Sequence, residues 1–305
     1  MGITKRGKHN KNKHRKTQKK IGKSFKNLKC SPKNPKDIKE FTCYTSDSLN
    51  KLKKYWNTRH PDEKILTNNS QEIWARLKEN MADVCDTEAC WLRQKFVEND
   101  LDAELRNYTF APKSPATWNR NKNEWLTSVD IEKVMKQYEK TYQNFTFIGP
   151  SPLDFDNKKI YNTCVWEELC NFDLKKYLTK NKTKIGIIFN MDPHYKDGSH
   201  WMCMMVDITK QLIYYFDSNG DKCPNEIKVL VERIKQQGYA FNLDFKFEEN
   251  HPIEHQEGDT ECGMYVLYFI VEILTGKRDY KFFTTKKITD EDVEKYRKIF
   301  FNPTL

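Results

Sequence analysis

The residue in this sequence best suited to covalent chemistry is Cys262, which precedes an apolar run at residues 264–274. The run predicts a buried helix that begins near the cysteine. A helix N-terminus favours the thiolate, because the macrodipole and unpaired N–H groups both stabilise negative charge. Gly263 would let the backbone of a substrate approach the sulfur closely. A lone cysteine is more often a buried structural residue, so a nucleophile requires further partners.

A nucleophilic cysteine needs a base, and His200 is the histidine best placed to serve. It precedes a predicted strand at 201–208, and a second predicted strand ends at Asp217. A hairpin turn near residues 208 and 209 would pair residues whose numbers sum to about 417, as those of His200 and Asp217 do. The carboxylate would then fix the imidazole tautomer and stabilise the imidazolium. Asn219 is the alternative orienting residue if the register differs.

Gln256, six residues before Cys262, has a side-chain amide that could act with the backbone N–H of Cys262 as an oxyanion hole. The alternative interpretation is that Gln256 is an ordinary loop residue without a catalytic role. His251 and His255 are bases by type, but neither has an obvious carboxylate in a fixed strand. We expect His194 to be exposed to solvent, near the substrate cleft.

The surrounding elements predict an α+β domain with a mixed sheet at residues 112–305. In chain order we expect a helix with a capping box at Thr127 and Asp130, strands at 184–190, 201–208 and 212–217, a helix at 227–237, a strand at 241–247, the buried helix, and a last helix capped at Thr289.

Residues 37–111 predict a small helical arm domain. Apolar side chains recur there at helical spacing, namely Leu49, Leu52, Tyr55 and Trp56, then Ile73, Leu77, Met81 and Val84. A proline-punctuated stretch at 110–115 predicts the domain boundary.

The charge of the chain is concentrated at its N-terminus. Residues 1–36 contain 14 Lys and Arg and no acid, whereas the other 269 residues carry 39 basic and 43 acidic side chains. This composition predicts a disordered basic tail that binds nucleic acid by counterion release, or one that only solubilises or targets the protein. The longest apolar stretch has 11 residues, too few to span a bilayer, and no signal peptide is recognisable.

Nine scattered cysteines, without a CxxC motif or a secretion signal, predict free thiols in a reducing compartment. Their spacing does not suit structural zinc, so we expect no metal site.

Taken together, His200-Trp201, Asp217, Gln256 and Cys262-Gly263 resemble the superfamily of SUMO proteases and adenovirus proteinases, which share this order. Over roughly residues 80–305 the chain is also similar to the polyprotein proteases of large DNA viruses of the African swine fever virus type. That similarity includes the segments at 85–90 and 288–292.

This resemblance implies a papain-like α+β core with a mixed central sheet, a buried catalytic helix and an N-terminal helical arm domain. Cys262 would be the nucleophile, His200 the base and Gln256 the oxyanion donor. Asp217 stands where the viral enzyme has Asn and the SUMO proteases have Asp. Trp201 and Gly263 are the candidate substrate-binding residues.

The implied function is a cysteine endopeptidase that processes viral core or capsid polyproteins at Gly-Gly-X sites during virion maturation. One alternative is a protease that removes SUMO or a ubiquitin-like protein from conjugates. Another is a nucleic-acid-binding virion protein that uses residues 1–36. We expect a polypeptide substrate, no cofactor, no membrane partner and a monomer, located in the host cytoplasm at the viral factory and packaged in the virion.

Overall fold

A computed structural model describes residues 28–98, 102–303 and 305, and they form two compact units. The first unit comprises the described residues up to Phe110 together with Leu305, and the second comprises Ala111–Pro303. Residues 1–27, most of the predicted basic tail, lie outside the described residues. Residues 28–36 are ordered in the first unit, where the Ser31 N–H donates to the Thr109 carbonyl at 3.1 Å.

The first unit is helical. It contains α1 (Ser46–Arg59), α2 (Ser70–Asn80), α3 (Glu88–Trp91), α4 (Lys95–Glu98) and α5 (Ala103–Tyr108), with short 3-10 turns at Pro35–Asp37 and Pro61–Glu63. The predicted apolar faces of α1 and α2 are buried at Leu49, Leu52, Ile73 and Leu77. Val84 is exposed, because α2 ends at Asn80, before that position is reached.

The second unit is built on a five-stranded mixed sheet in the order β1 to β5. The strands are β1 (Phe145–Pro152), β2 (Lys184–Asn190), β3 (Trp201–Asp207), β4 (Leu212–Phe216) and β5 (Lys246–Glu249). Its helices are α6 (Ser128–Thr141), α7 (Glu167–Cys170), α8 (Leu174–Leu178), α9 (Asn225–Tyr239), α10 (Cys262–Leu274), α11 (Phe282–Thr285), α12 (Asp290–Glu294) and α13 (Arg297–Phe300). Short 3-10 turns lie at Ala116–Asn119 and Ile160–Asn162. The α+β class with a mixed sheet is therefore as predicted.

Helices cover both faces of this sheet, and the alternation of side chains along β3 shows how. Trp201, Cys203 and Met205 pack in the cluster that contains α6 and α10. Met202 and Met204 lie in the opposite cluster, with the apolar face of α9. Because successive side chains of a strand point to opposite faces, a strand covered on both sides is buried along its whole length.

The hairpin of β3 and β4 has a different register from the predicted one. Asp207 pairs with Leu212 and Cys203 with Phe216, so the numbers of paired residues sum to 419 rather than 417. The turn is centred one position later than expected, between Thr209 and Lys210.

Two strands depart from the sequence expectation. The strand predicted at 241–247 begins only at Lys246, because α9 continues to Tyr239 and the residues after it form its C-terminal turn. β1 was not predicted, since Gly149, Pro150 and Pro152 argue against a strand. β1 is an edge strand, however, and an edge strand tolerates proline because part of its backbone needs no ladder hydrogen bond.

The prediction that all the cysteines are free thiols is wrong for six of them. Disulfides join Cys30 to Cys43 and Cys85 to Cys90 in the first unit, and Cys164 to Cys170 in the second. The paired cysteines lie in loops and short helices, at sequence separations of 13, 5 and 6. None of these separations corresponds to a CxxC motif, so the sequence did not indicate the pairing. Cys203, Cys223 and Cys262 are free.

None of the helices in the described part of the chain combines the length and apolar character needed to cross a bilayer.

Candidate active site

The buried helix α10 begins at Cys262, as the sequence predicts, and all of its residues are buried. The carbonyl of the preceding residue, Glu261, accepts the N–H groups of Met264 and Tyr265 at 2.8 and 2.9 Å. Among the described residues, the N–H groups of Cys262 and Gly263 have no hydrogen-bond partner. The thiol therefore lies at a helix N-terminus with two unpaired donors beside it, an arrangement that favours negative charge.

His200 connects Cys262 to Asp217. The His200 Nε2 lies 2.8 Å from the Asp217 Oδ1, and the ring also interacts electrostatically with the Cys262 thiol. Burial by itself lowers the His200 pKa, but the hydrogen bonds and charges of Asp217 and Cys262 outweigh it and raise the pKa to about 10. The site thus favours the imidazolium, which lies between the Asp217 carboxyl group and the Cys262 sulfur.

Asp217 is fully buried and held by several groups. Its Oδ1 also accepts the Asn219 N–H at 2.8 Å, and its Oδ2 accepts the Tyr215 hydroxyl at 3.2 Å. The Asn250 side chain pairs with the Asp217 backbone, accepting its N–H at 2.9 Å and donating to its carbonyl at 2.7 Å. Asn219, the alternative orienting residue, therefore contacts the carboxylate through its backbone. Asn250 was missed, because nothing in the sequence links it to a position 33 residues earlier.

The turn after β4 also holds Gln256. The Ser218 hydroxyl donates to the Gln256 Oε1 at 2.8 Å, and the Gln256 N–H donates to the Ser218 carbonyl at 2.9 Å. The Gln256 Nε2 donates to the Gly258 carbonyl at 2.7 Å, which uses one of its two hydrogens. Gln256 is thereby fixed to the segment that follows Asp217, with one amide hydrogen left to donate.

The other histidines have different surroundings. His255 is fully buried, accepts the Ile288 N–H at Nδ1 and reaches the Phe283 carbonyl through Nε2 at 3.0 Å. Burial lowers its pKa, so it is a neutral structural residue. His251 contacts the Gly220 carbonyl at 2.7 Å. His194 is exposed, as predicted, and pairs with Asp154 at 2.7 Å.

A cleft of about 670 Å³ lies beside these residues in the second unit. Its walls include Trp125, Leu126, Trp201 and His194. The Trp201 Nε1 donates to the Leu126 carbonyl at 3.0 Å. A Cβ at Gly263 would come within 2.9 Å of the Leu126 Cβ, so this glycine makes room for the cleft wall. The sequence predicts that Gly263 lets a substrate backbone approach the sulfur, and it gives no indication of the contact with Leu126.

In the described part of the chain, no group of three or more His, Cys, Asp or Glu side chains is arranged to hold a metal ion.

Comparison with known proteins agrees with this geometry. The model of the Ulp1 protease family, C-terminal catalytic domain, matches residues 123–303. A protein of Acanthamoeba polyphaga mimivirus named as an inferred thiol protease is 26% identical over 85% of this chain and 89% of its own length. The SUMO-1 cysteine protease of African swine fever virus is 29% identical over 74% of this chain and 86% of its own.

The fold is also similar to a solved structure. The crystal structure of the African swine fever virus protease has a TM-score of 0.65 and 23% sequence identity, with 90% of this chain and 95% of that chain covered. This similarity shows that the two proteins share a fold.

Proposed function

Because this chain belongs to the Ulp1 protease family and is a cysteine protease, we propose that it is a viral endopeptidase that processes structural polyproteins during virion maturation. The extent of the viral matches carries this proposal. The family model covers residues 123–303 alone, whereas the match to the mimivirus protein covers 85% of the chain and so includes much of the helical first unit.

In the proposed reaction, the Cys262 sulfur attacks the scissile carbonyl carbon and His200 holds the thiol proton. His200 then delivers that proton to the leaving amine as the peptide C–N bond breaks. A water molecule, deprotonated by His200, hydrolyses the thioester and releases the free thiol. Asp217 keeps the Nε2 side of the ring occupied, so that the other ring nitrogen faces the sulfur.

The oxyanion formed in both steps needs hydrogen-bond donors. The unpaired N–H of Cys262 and the remaining amide hydrogen of Gln256 are the donors that we assign to it. Ser218 supports this role, because its hydroxyl fixes the Gln256 carbonyl oxygen and thereby determines which end of the amide is the donor.

The walls of the cleft bear on the proposed substrate preference. Indole rings of Trp125, Trp166 and Trp201 contribute to its walls, and Leu126 closes it against Gly263. Cleavage at Gly-Gly-X sites is proposed from the resemblance of the site residues to the viral polyprotein proteases, and the aromatic residues in the cleft walls are compatible with glycines beside the scissile bond.

The test is cleavage of a core or capsid precursor that contains a Gly-Gly-X site. We expect products from the wild-type protein, none from Cys262→Ala, and a large loss when either glycine of the site becomes valine. Uncleaved precursor, or equal cleavage of the valine variants, would contradict the proposal.

A second candidate function is removal of SUMO or a ubiquitin-like protein from conjugates. The family match and the name of the African swine fever virus relative favour it. The chemistry is the same, with an isopeptide bond in place of the peptide bond. Comparing kcat/KM on a SUMO conjugate with that on the precursor decides between the two substrates.

For the basic tail we propose binding to nucleic acid, which would hold the protease at the viral factory and carry it into the virion. Residues 1–27 contain 11 Lys and Arg and no acid. Deleting them should leave peptide cleavage unchanged. It should also remove most of the DNA affinity. The logarithm of the binding constant should then fall less steeply with the logarithm of the salt concentration, because this slope is about −0.9 for each phosphate neutralised. Equal DNA binding by the truncated protein would assign the contact to another part of the chain.

A further inference from the structure

A buried ion pair lies directly before the proposed nucleophile. Arg297, at the start of α13, donates from Nε and Nη2 to the two carboxylate oxygens of Glu261 at 3.1 and 2.8 Å. Glu261 is 3% exposed and Arg297 is 6% exposed. Glu261 is the N-cap of α10, so the residue that Arg297 holds is bonded directly to Cys262.

The same guanidinium also holds the cleft wall. Its Nη1 donates to the Glu124 carbonyl at 3.0 Å, and its plane lies over the ring of Trp118, 4.6 Å from the ring centroid. Glu124 lies two residues before Leu126, which lines the cleft and packs against Gly263. Arg297 therefore connects the start of the nucleophile helix to the segment that carries the cleft residue Leu126.

Stability alone does not explain this arrangement. Removing two charges from water is expensive, and apolar side chains of similar volume often stabilise a protein as well or better. What a bidentate pair adds is direction, because the planar fork fixes the carboxylate in distance and in angle. The Glu261 backbone in turn fixes α10 through the N–H groups of Met264 and Tyr265.

We propose that Arg297 is a positioning residue that, through Glu261, sets the place of Cys262 relative to His200, and through Glu124 sets the cleft wall at Leu126. This inference rests on the proposed role of Cys262. It gives α13, which carries Arg297, a role in the reaction without any contact with the substrate.

Two variants separate the two contacts. Arg297→Lys keeps the charge and removes the fork, so both contacts weaken. Glu261→Gln keeps the size of the side chain and one acceptor, and it leaves the Glu124 contact in place. We measure kcat and KM on a peptide substrate, the rate of Cys262 alkylation by iodoacetamide, and the melting temperature. Either variant suffices if the other does not fold.

The matched control is Arg233→Lys. Arg233 lies on α9 and makes a comparable fork with Asp156, at 3.1 and 2.6 Å, with a further bond to the Leu169 carbonyl at 2.8 Å. It belongs to the helix layer on the other side of the sheet from α10. Any general cost of exchanging an Arg fork for Lys appears in this control as well.

We expect kcat to fall by about 10- to 100-fold in Arg297→Lys, because small displacements of reacting groups have effects of this size. Glu261→Gln should lower kcat with KM changed less than about twofold, and both variants should slow alkylation of Cys262. Arg233→Lys should retain kcat, with a smaller loss of melting temperature because the Arg233–Asp156 pair is partly exposed. Equal kcat in the folded Arg297 and Arg233 variants would overturn the inference. Activity retained by Cys262→Ala would instead overturn the proposed function.

Discussion

The replacement of Asp217 by Asn and by Ala tests the electrostatics of the site most fully. In the Asp217→Asn variant the amide oxygen can still accept the His200 Nε2–H and the Asn219 N–H. Its NH₂ group then meets the Tyr215 hydroxyl, which can accept as well as donate. Asp217→Asn therefore removes the charge and keeps both bonds to the retained oxygen, at the cost of the acceptor for the Tyr215 O–H, whereas Asp217→Ala removes all three bonds.

The expected loss of kcat/KM in these variants can be worked out from the pKa of His200. Its rise from 6.5 to about 10 corresponds to a preference for the imidazolium of about 5 kcal/mol. Asp217 and Cys262 share this preference, so we assign about 2 kcal/mol, or about 30-fold in kcat/KM, to the carboxylate charge. Asp217→Ala also removes the acceptor that orients the imidazole and should lower kcat/KM by about 1,000-fold in total.

The assay is the pH profile of kcat/KM on a peptide substrate. Because the folded-state pKa of His200 is raised, the imidazolium persists at neutral pH and is lost as the pH rises through about 10. Asp217→Asn should move this alkaline limb to lower pH. Tyr215→Phe, which removes only the bond to Oδ2, is the control and should change kcat little. An unmoved limb in Asp217→Asn, or an effect of Asp217→Ala on KM alone, would refute this reasoning.

Three further predictions concern other residues. Iodoacetamide near neutral pH should label Cys262 before Cys203 and Cys223, since burial raises the pKa of both other thiols, that of Cys223 to about 12; peptide mapping checks the order. Gln256→Ala should lower kcat by about 10²–10³ with the fold intact, as measured by steady-state kinetics beside circular dichroism. Because burial lowers the pKa of His255, the unfolded chain binds the proton more tightly, and stability should fall as the pH drops below about 6.5. His255→Gln should reduce the difference in melting temperature between pH 7 and pH 5.

The sequence was most informative about features that depend on residues close together in the chain. The capping boxes at Thr127 and Thr289 form as predicted, because each depends on two residues three positions apart. The buried helix from Cys262 was equally readable, since its apolar run has no other stable environment.

Long-range pairing was harder to predict. The predicted hairpin register differs from the observed one, in which the numbers of paired residues sum to 419 rather than 417. His200 and Asp217 are hydrogen-bonded nevertheless, because they lie just beyond the paired residues and meet diagonally across the two strands. A strand pattern indicates alternation, but the turn fixes the register. The position of this turn depended on loop geometry that the residue types left open.

The supporting residues could not be found from the sequence. Asn250, Ser218 and Arg297 act through backbone groups or through partners far away along the chain. An Asn or Ser in a loop has many ordinary uses, and only the folded chain shows which carbonyl or carboxylate it meets. The disulfides were missed for the same reason, since their spacing matches no local motif.

Every step of the proposed reaction requires Cys262 to act as a nucleophile activated by His200. The most direct measurement uses a peptide that ends in Gly-Gly with a C-terminal vinyl electrophile, followed by mass spectrometry of the intact and digested protein. We predict one adduct, located on Cys262, and a loss of labelling in His200→Ala. An adduct on a different cysteine, or equal labelling of the His200→Ala protein, would contradict the account.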